Sequence, residues 1–380
     1  MKIGVPRETA TGETRVALIP ALVSSLKKDG HDVLLERNAG KAASFEDEEF
    51  TKAGAQIVQD AAALYRATDV LLKVRPPDER EAELLREGIT YMGFFPPLAL
   101  PNIVKIFARR RITSFSMEYI PRITRAQSMD ALSSMSTVSG YKAVLLAAEH
   151  IGKMFPLMMT AAGTVPPATV LVLGAGVAGL QAIATAKRLG AKVEAFDVRS
   201  AVKEQIKSLG ATFLEMELNE NLETAGGYAK EQSADFLTKQ MEMLSGRMPK
   251  VNVVITTAQV FGKRAPILIT EEMVKLMHPG SVIVDLAAEQ GGNCALTEPG
   301  RTIEKYGVSI IGAVNLPATV PVDASLMYAK NITVLFKHIY PKADSIPDFE
   351  DEIIKGACIT RNGEIVNTSI REALQRGANQ

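Results

Sequence analysis

The sequence lacks an excess of charge of either sign. Its 43 basic residues are matched by 43 acidic ones, so the formal net charge at pH 7 is zero. A nucleic-acid partner is not expected, because neutralising phosphates requires a basic excess on the protein. The same balance gives no indication of a basic anchor for a membrane surface.

Cysteine is nearly absent, since only Cys294 and Cys358 occur in 380 residues. Two isolated cysteines exclude a disulfide framework and, at this spacing, a zinc site. We expect two reduced thiols in a cytosolic protein and no bound metal. The apolar stretch at the start is short, and Arg7 and Glu8 follow at once, so no signal peptide is predicted.

A long uninterrupted hydrophobic run is also missing. No charged residue occurs between Lys153 and Lys187, which is long enough to suggest a membrane span. Prolines interrupt the first half of this stretch and glycines the second, and residues 163–167 have the composition of a loop. We therefore predict two shorter elements joined by a loop, and no membrane-spanning segment.

What is present is an alternation of short β-rich runs with helical patterns. This alternation predicts parallel sheets covered by helices, and 380 residues are enough for two domains. The expected fold class is α/β, with two Rossmann-like doubly wound parallel-sheet domains separated by a cleft. The predicted strands are residues 2–5, 32–35, 69–74, 90–94, 169–173, 192–196, 251–255, 281–285 and 308–311.

A dinucleotide-binding motif follows the strand predicted at 169–173. The run Gly174-Ala175-Gly176-Val177-Ala178-Gly179 opens a helical pattern, and the next predicted strand ends at Asp197. Gly174 permits the tight turn, Gly176 lets the backbone approach a pyrophosphate, and Gly179 lets helix and strand pack closely. The start of the helix, at Val177, offers N–H groups and a positive dipole end to the phosphates.

The acid at the end of the second strand indicates which nucleotide is bound. The Asp197 carboxylate would accept hydrogen bonds from the adenosine ribose hydroxyls and repel a 2′-phosphate, which favours NAD(H) over NADP(H). Arg199 is the opposing feature, because a nearby arginine accepts a 2′-phosphate. A solvent-exposed side chain at a helix start is the alternative for Arg199.

A polar stretch at residues 216–236 interrupts the second series of strands. It carries Gly226 and Gly227 beside Tyr228. Long loops in compact domains are uncommon and often functional, but a passive surface insertion explains the composition equally well.

Three further runs carry a family resemblance: residues 4–8 with 13–17, residues 69–74, and residues 284–287 before Gly291 and Gly292. With the glycine motif, they resemble the alanine dehydrogenase and transhydrogenase family over nearly the whole chain. By this resemblance the first domain is discontinuous, with residues 1–132 and 326–380 in one domain and 133–325 in the NAD(H)-binding domain.

Two activities compete within the family. Its alanine dehydrogenases hold the substrate with an arginine and a lysine, matched here by Arg15 and Lys73, and use a histidine as acid and base. No histidine occurs between His31 and His150, and Glu289 stands where an aspartate is expected. Oxidation of a carbon–nitrogen bond requires proton transfer beside the hydride, so the missing histidine argues against amino-acid deamination.

The transhydrogenase branch of the family fits better. Residues 121–130, 158–168 and 224–230 resemble signature runs of its NAD(H)-binding component, the last being a mobile loop. The resemblance implies that the nicotinamide and its ribose lie at the domain cleft, and that Tyr228, on a Gly226-Gly227 hinge, closes over the nucleotide. The implied nicotinamide residues are Arg122, Gln127, Asp130 and Ser133; the adenosine residues are Asp197, Val198 and Arg199; Gln240 and Gln259 lie near the cofactor. Helix capping is the alternative for Gln127 and Asp130.

The resemblance also implies a reaction and partners. Hydride would pass directly between two nicotinamide rings, which needs positioning and exclusion of water but no general acid. One glycine fingerprint occurs in the sequence, so NADP(H) is expected on a partner polypeptide, with membrane-spanning subunits coupling the transfer to proton translocation.

The resemblance further implies a homodimer and a separate cytoplasmic subunit held peripherally at the inner face of the bacterial inner membrane. A stand-alone amino-acid dehydrogenase and a catalytically silent NAD(H)-sensing protein remain as alternatives, because fold does not decide function.

Overall fold

A computed structural model describes residues 1–216, 234–260 and 264–377. The chain divides into two compact units. The first unit consists of residues 1–135 and 317–380, and the second unit consists of residues 136–316.

Helices and strands are numbered in chain order. Residues 1–150 form β1 Lys2–Val5, α1 Pro20–Lys28, β2 Asp32–Glu36, α2 Asp47–Lys52, β3 Gln56–Val58, α3 Ala61–Ala67, β4 Val70–Leu72, α4 Glu79–Leu84, β5 Thr90–Gly93, α5 Pro101–Arg109, β6 Thr113–Ser116 and α6 Ala131–His150. The described residues between 151 and 316 form β7 Met158–Thr160, β8 Gly163–Val165, β9 Thr169–Leu173, α7 Val177–Arg188, β10 Lys192–Phe196, α8 Lys203–Ser208, β11 Thr212–Phe213, α9 Ala234–Ser245, β12 Val253–Thr256, α10 Glu271–Lys275, β13 Val282–Asp285, β14 Thr302–Lys305 and β15 Val308–Gly312. Then come α11 Pro321–Ile339, α12 Glu352–Ala357, β16 Cys358–Arg361, β17 Glu364–Ile365 and α13 Thr368–Gly377.

The first unit is built on one mixed sheet in the order β17-β16-β6-β5-β4-β1-β2-β3. All neighbours from β6 to β3 pair in parallel, whereas β16 is antiparallel to both β6 and β17. Every residue of β4 and β5 is buried. A parallel strand buried along its whole length has both faces covered.

The second unit is built on a sheet in the order β11-β10-β9-β12-β13-β15-β14, parallel except for β14. Alternate residues of β9 enter opposite cores: Val170 and Val172 join one apolar cluster, and Leu171 and Leu173 join the other. The strand order reverses between β9 and its neighbours β10 and β12. In open α/β sheets, ligands bind at the carboxyl ends of the strands beside such a reversal.

The predicted α/β fold class is confirmed. The loop predicted at 163–167 is wrong over its first three residues, because Gly163–Val165 pairs with Met158–Thr160 in a two-stranded hairpin. The uncharged stretch between Lys153 and Lys187 therefore holds this hairpin, β9 and most of α7.

Among the described residues, no helix combines the length and the apolar character that crossing a membrane requires.

Candidate dinucleotide-binding site

Two of the three motif glycines are required by the packing of the turn between β9 and α7. Gly174 has φ +97°, a conformation that side chains with a Cβ rarely adopt. A Cβ on Gly179 would lie 1.9 Å from the carbonyl oxygen of Gly174. Helix and strand can approach this closely only because position 179 carries no side chain, as the motif predicts.

Gly176 differs, because nothing in the described chain lies within 4 Å of where its Cβ would be. Its absent side chain therefore leaves open space rather than relieving an internal clash. Gly176 is also the N-cap of α7 and supplies no side-chain hydrogen bond to the first N–H groups. Val177, the first helical residue, is 42% exposed. This open helix start fits a pyrophosphate.

Asp197 follows β10 and is 8% exposed. Its Oδ2 accepts from the Ala175 N–H at 2.7 Å, which ties the end of β10 to the glycine turn. Arg199 donates to the same carboxylate from its backbone N–H and from Nε and Nη2 of its guanidinium, at 2.8–2.9 Å. The carboxylate thus lies where a ribose is expected, but in this structure Arg199 engages both of its oxygens.

The loops after β12 and β13 are joined to the same edge of the sheet. The Thr257 hydroxyl donates to the Gly174 carbonyl at 3.0 Å, and the exposed Gln259 donates to the Leu286 carbonyl at 2.8 Å. Asp285, fully buried, accepts from the N–H groups of Ala287, Asn293 and Cys294 and from the hydroxyls of Thr256 and Thr297.

No role for Asp285 was predicted from the sequence, although Asp285 lies in the run 284–287 that supports the family resemblance. An aspartate inside a run of buried strand residues was the available signal, because a buried carboxylate must be hydrogen-bonded.

The remaining residues predicted for the second unit divide into three groups. Val198 is half-buried and packs against the core beside β9. Gln240 lies on α9, is 2% exposed, and has an Oε1 with no partner among the described atoms. Gly227 and Tyr228 lie outside the described residues.

The residues predicted to hold the nicotinamide lie in the first unit. A 3-10 turn at Thr124–Met129 buries Ala126 and Met129 and leaves Gln127 exposed. Asp130 caps α6 by accepting from the N–H and hydroxyl of Ser133, at 2.9 and 2.6 Å. Helix capping, the alternative for Asp130, therefore describes its present contacts.

Arg122, the fourth of the predicted nicotinamide residues, is exposed ahead of this turn.

Arg15 and Lys73 belong to a buried polar cluster in the same unit. The Arg15 guanidinium donates twice to Glu13, at 2.8 and 2.7 Å. Lys73 donates to Glu81 at 2.6 Å and lies 3.9 Å from Glu8. Burial raises the pKa of Glu8 to about 7, although Lys73 and the N–H groups of residues 74 and 75 oppose the shift. Both cations are thus neutralised by neighbouring carboxylates.

The segment at 91–97, where an alanine dehydrogenase histidine is expected, is apolar and aromatic. Phe95 is fully buried against Phe107, with ring centroids 5.2 Å apart, and Phe94 packs on Tyr328 at 5.1 Å. Burial raises the pKa of Tyr91 well above its ordinary value. The segment holds no group that exchanges a proton near neutral pH.

A Rossmann-type sheet with this glycine turn and a carboxylate after the second strand defines a dinucleotide-binding α/β protein. The chain belongs to the alanine dehydrogenase/PNT family, whose N-terminal domain matches residues 4–139 and whose C-terminal domain matches residues 143–368. The family resemblance read from the sequence is confirmed.

Relatives from both branches of the family cover nearly the whole chain. An NAD(P) transhydrogenase alpha-subunit polypeptide of Rhodospirillum rubrum is 48% identical, covering 97% of this chain and 99% of the relative. An alanine dehydrogenase of Methanococcus maripaludis is 30% identical, covering 98% and 96%. Among solved structures, a transhydrogenase from Sinorhizobium meliloti has a TM-score of 0.87 at 41% identity, covering 96% of this chain and 100% of that one. The chain is therefore more similar in sequence to these two transhydrogenases than to this alanine dehydrogenase.

Proposed function

We propose that this chain is the NAD(H)-binding subunit of a proton-translocating NAD(P) transhydrogenase, in which hydride passes directly to or from NADP(H) on a partner subunit. One observation carries the choice within the family. Residues 91–97 provide no acid or base for amino-acid chemistry, whereas the glycine turn, which either branch would need to bind NAD(H), is intact with open space at Gly176.

The proposed roles of the residues follow from their chemistry. NAD(H), when bound, supplies or accepts the hydride. The open helix start at Val177 would hold the pyrophosphate, and Asp197 would accept the ribose hydroxyls. Gln127 would orient the nicotinamide with an amide that does not titrate. This chemistry requires positioning and exclusion of water, which is consistent with the absence of a histidine at residues 91–97.

The partners belong to the same proposal. NADP(H)-binding and membrane-spanning subunits would complete the enzyme and couple hydride transfer to proton translocation. The chain would then be cytoplasmic and peripheral, held at the inner face of the inner membrane through those subunits. A fixed orientation on a partner is needed because direct transfer requires the reacting atoms about 3–3.5 Å apart.

Two assays on one preparation test this function. We expect the purified chain, mixed with NADH and a purified NADP(H)-binding transhydrogenase subunit, to reduce thio-NADP⁺, whose reduced form absorbs at a longer wavelength than NADH. We expect the same preparation to leave NADH unchanged when pyruvate and ammonium are supplied without the partner, because residues 91–97 provide no proton-transfer group.

The controls separate the three candidate functions. Binding of NADH, followed by the change in its fluorescence, shows that the preparation is competent. Steady oxidation with pyruvate and ammonium would establish an amino-acid dehydrogenase instead. Binding of NADH without transfer in either assay would favour the NAD(H)-sensing alternative.

A homodimer also belongs to the proposal, and the β7–β8 hairpin is its proposed contact surface. Both strands are exposed, and Met159 is 81% exposed beside Leu157 at 53% and Met154 at 54%. A lone two-stranded hairpin is marginal in water. A second copy is the proposed occupant, because a two-fold axis lets an identical antiparallel edge pair with itself.

We expect Met159→Glu to weaken self-association by at least about 100-fold, since an unpaired carboxylate buried in an interface costs several kcal/mol. Sedimentation equilibrium measures the effect. Leu84→Glu, at an apolar residue of the first unit that is 60% exposed, is the matched control and should leave the association unchanged. A Met159→Glu protein that associates as tightly as the parent would remove the hairpin from the interface.

A further inference from the structure

The 3-10 turn that carries Gln127 is held in place by two side chains from the C-terminal segment of the first unit. The side-chain amide of Asn331, on α11, donates to the Ser128 carbonyl at 2.8 Å. The guanidinium of Arg125 lies 2.8 Å from the carboxylate of Asp351, the N-cap of α12. In the sequence, Gln127 lies between Arg125 and Ser128, the two residues of the turn that make these contacts.

The two ties differ in strength. The Arg125 side chain is 56% exposed, and ion pairs at such exposure contribute little. Asn331 is 8% exposed, and a hydrogen bond in a buried setting is both stronger and more closely fixed in geometry. Asn331 is therefore the stronger of the two side-chain contacts that hold the turn, beside the packing of Ala126 and Met129.

The oxygen of the Asn331 side-chain amide indicates a role other than stabilising the fold. Its Oδ1 is buried and has no partner among the described atoms. A half-satisfied buried amide is costly, and an apolar residue of similar volume would avoid that cost. The favourable interaction that the Asn331 amide makes is thus its hydrogen bond to the Ser128 carbonyl.

We propose that Asn331 is a positioning residue for hydride transfer, acting through the Ser128 carbonyl to fix the turn from which Gln127 reaches the nicotinamide. This inference rests on the function proposed above. It adds a residue that touches neither the cofactor nor the reacting atoms.

The test uses the full chain with its NADP(H)-binding partner and compares two variants of one helix. Asn331→Leu keeps the number of side-chain heavy atoms and the branch point at Cγ, and it removes the donor to Ser128. Thr333→Val, two residues along α11, is the control, because Thr333 is 4% exposed and its hydroxyl has no partner among the described atoms. Single-turnover reduction of thio-NADP⁺ by bound NADH and the Kd for NADH are measured for both.

We expect Asn331→Leu to lower the single-turnover rate by at least about tenfold, since small misplacements of reacting groups have effects of that order or larger. The Kd for NADH should change by less than about twofold, because the turn is not expected to supply most of the binding energy. Thr333→Val should match the parent in both. If Asn331→Leu fails to fold by circular dichroism, Asn331→Ser, which also cannot reach Ser128, takes its place.

A rate equal to the parent's, or equal losses in rate and affinity, would overturn the inference while leaving the proposed function intact. A parent chain that binds NADH and transfers no hydride would instead contradict the proposed function, and the inference with it.

Discussion

Replacing Asp197 with alanine is expected to weaken NADH binding by about 10- to 100-fold and to strengthen NADPH binding. The loss follows from the proposed hydrogen bonds between the carboxylate and the ribose hydroxyls, which would contribute about 1.5–3 kcal/mol, where 1.4 kcal/mol corresponds to a factor of about ten. The gain follows because a 2′-phosphate would no longer meet a carboxylate. Titration of NADH and NADPH fluorescence measures both affinities.

Because Arg199 contacts Asp197, a double variant tests the origin of the expected gain in NADPH affinity more directly than Asp197→Ala alone. Arg199 donates to both oxygens of Asp197, so Asp197→Ala also removes these two contacts from a guanidinium that is suited to a phosphate. We expect the gain in NADPH affinity to disappear in the double variant Asp197→Ala/Arg199→Ala, while the loss of NADH affinity remains. An unchanged preference for NADH in Asp197→Ala would remove this carboxylate from the ribose site.

Strands that are buried on both faces were predictable from the sequence. The bounds predicted for β9 and β10 agree with the structure, Thr169–Leu173 and Lys192–Phe196. β9 is an almost wholly apolar run that follows a proline-containing loop and ends before Gly174, and β10 begins two residues after Gly190 and ends before Asp197. Such runs are recognisable without tertiary information.

Strands that are largely exposed, or that pair with a strand far away in the sequence, were missed. β14, Thr302–Lys305, is largely exposed at the edge of its sheet, so no apolar run marks it. β16 is buried, but it joins the first sheet by pairing with β6 some 240 residues earlier. The β7–β8 hairpin follows from a turn between two short exposed strands. A local sequence pattern does not predict a strand whose formation depends on its position at a sheet edge or on long-range pairing.

In the candidate site, too, local features could be predicted from the sequence and long-range contacts could not. The functions assigned to Gly174 and Gly179 follow from backbone sterics, and the close contact at Gly179 agrees with them. The contact of Asn331 with Ser128 joins residues 203 positions apart, and no local pattern predicts it. Arg199 was visible in the sequence, but that it occupies both oxygens of Asp197 is a matter of side-chain geometry.

Gln127→Ala is expected to separate binding from hydride transfer. Gln127 is exposed on its turn, whose buried contacts are made by Ala126 and Met129, so its removal should leave the fold intact. The proposed pyrophosphate and adenosine contacts lie in the second unit, at Val177 and Asp197, and are unaffected by the change. We expect the Kd for NADH to rise by less than about threefold, because the contacts proposed to bind NADH are retained and only the orientation of its nicotinamide ring is lost.

The rate of single-turnover hydride transfer should fall by about 100-fold in Gln127→Ala, since a nicotinamide ring that is bound but not oriented loses the advantage of a fixed near-attack geometry. Ser128→Ala is the matched control on the same turn, because its carbonyl, which Asn331 holds, is retained. Comparable losses in rate and affinity for Gln127→Ala would place Gln127 away from the nicotinamide. A selective loss of rate, absent in Ser128→Ala, would identify an orienting amide in a reaction that requires no acid or base.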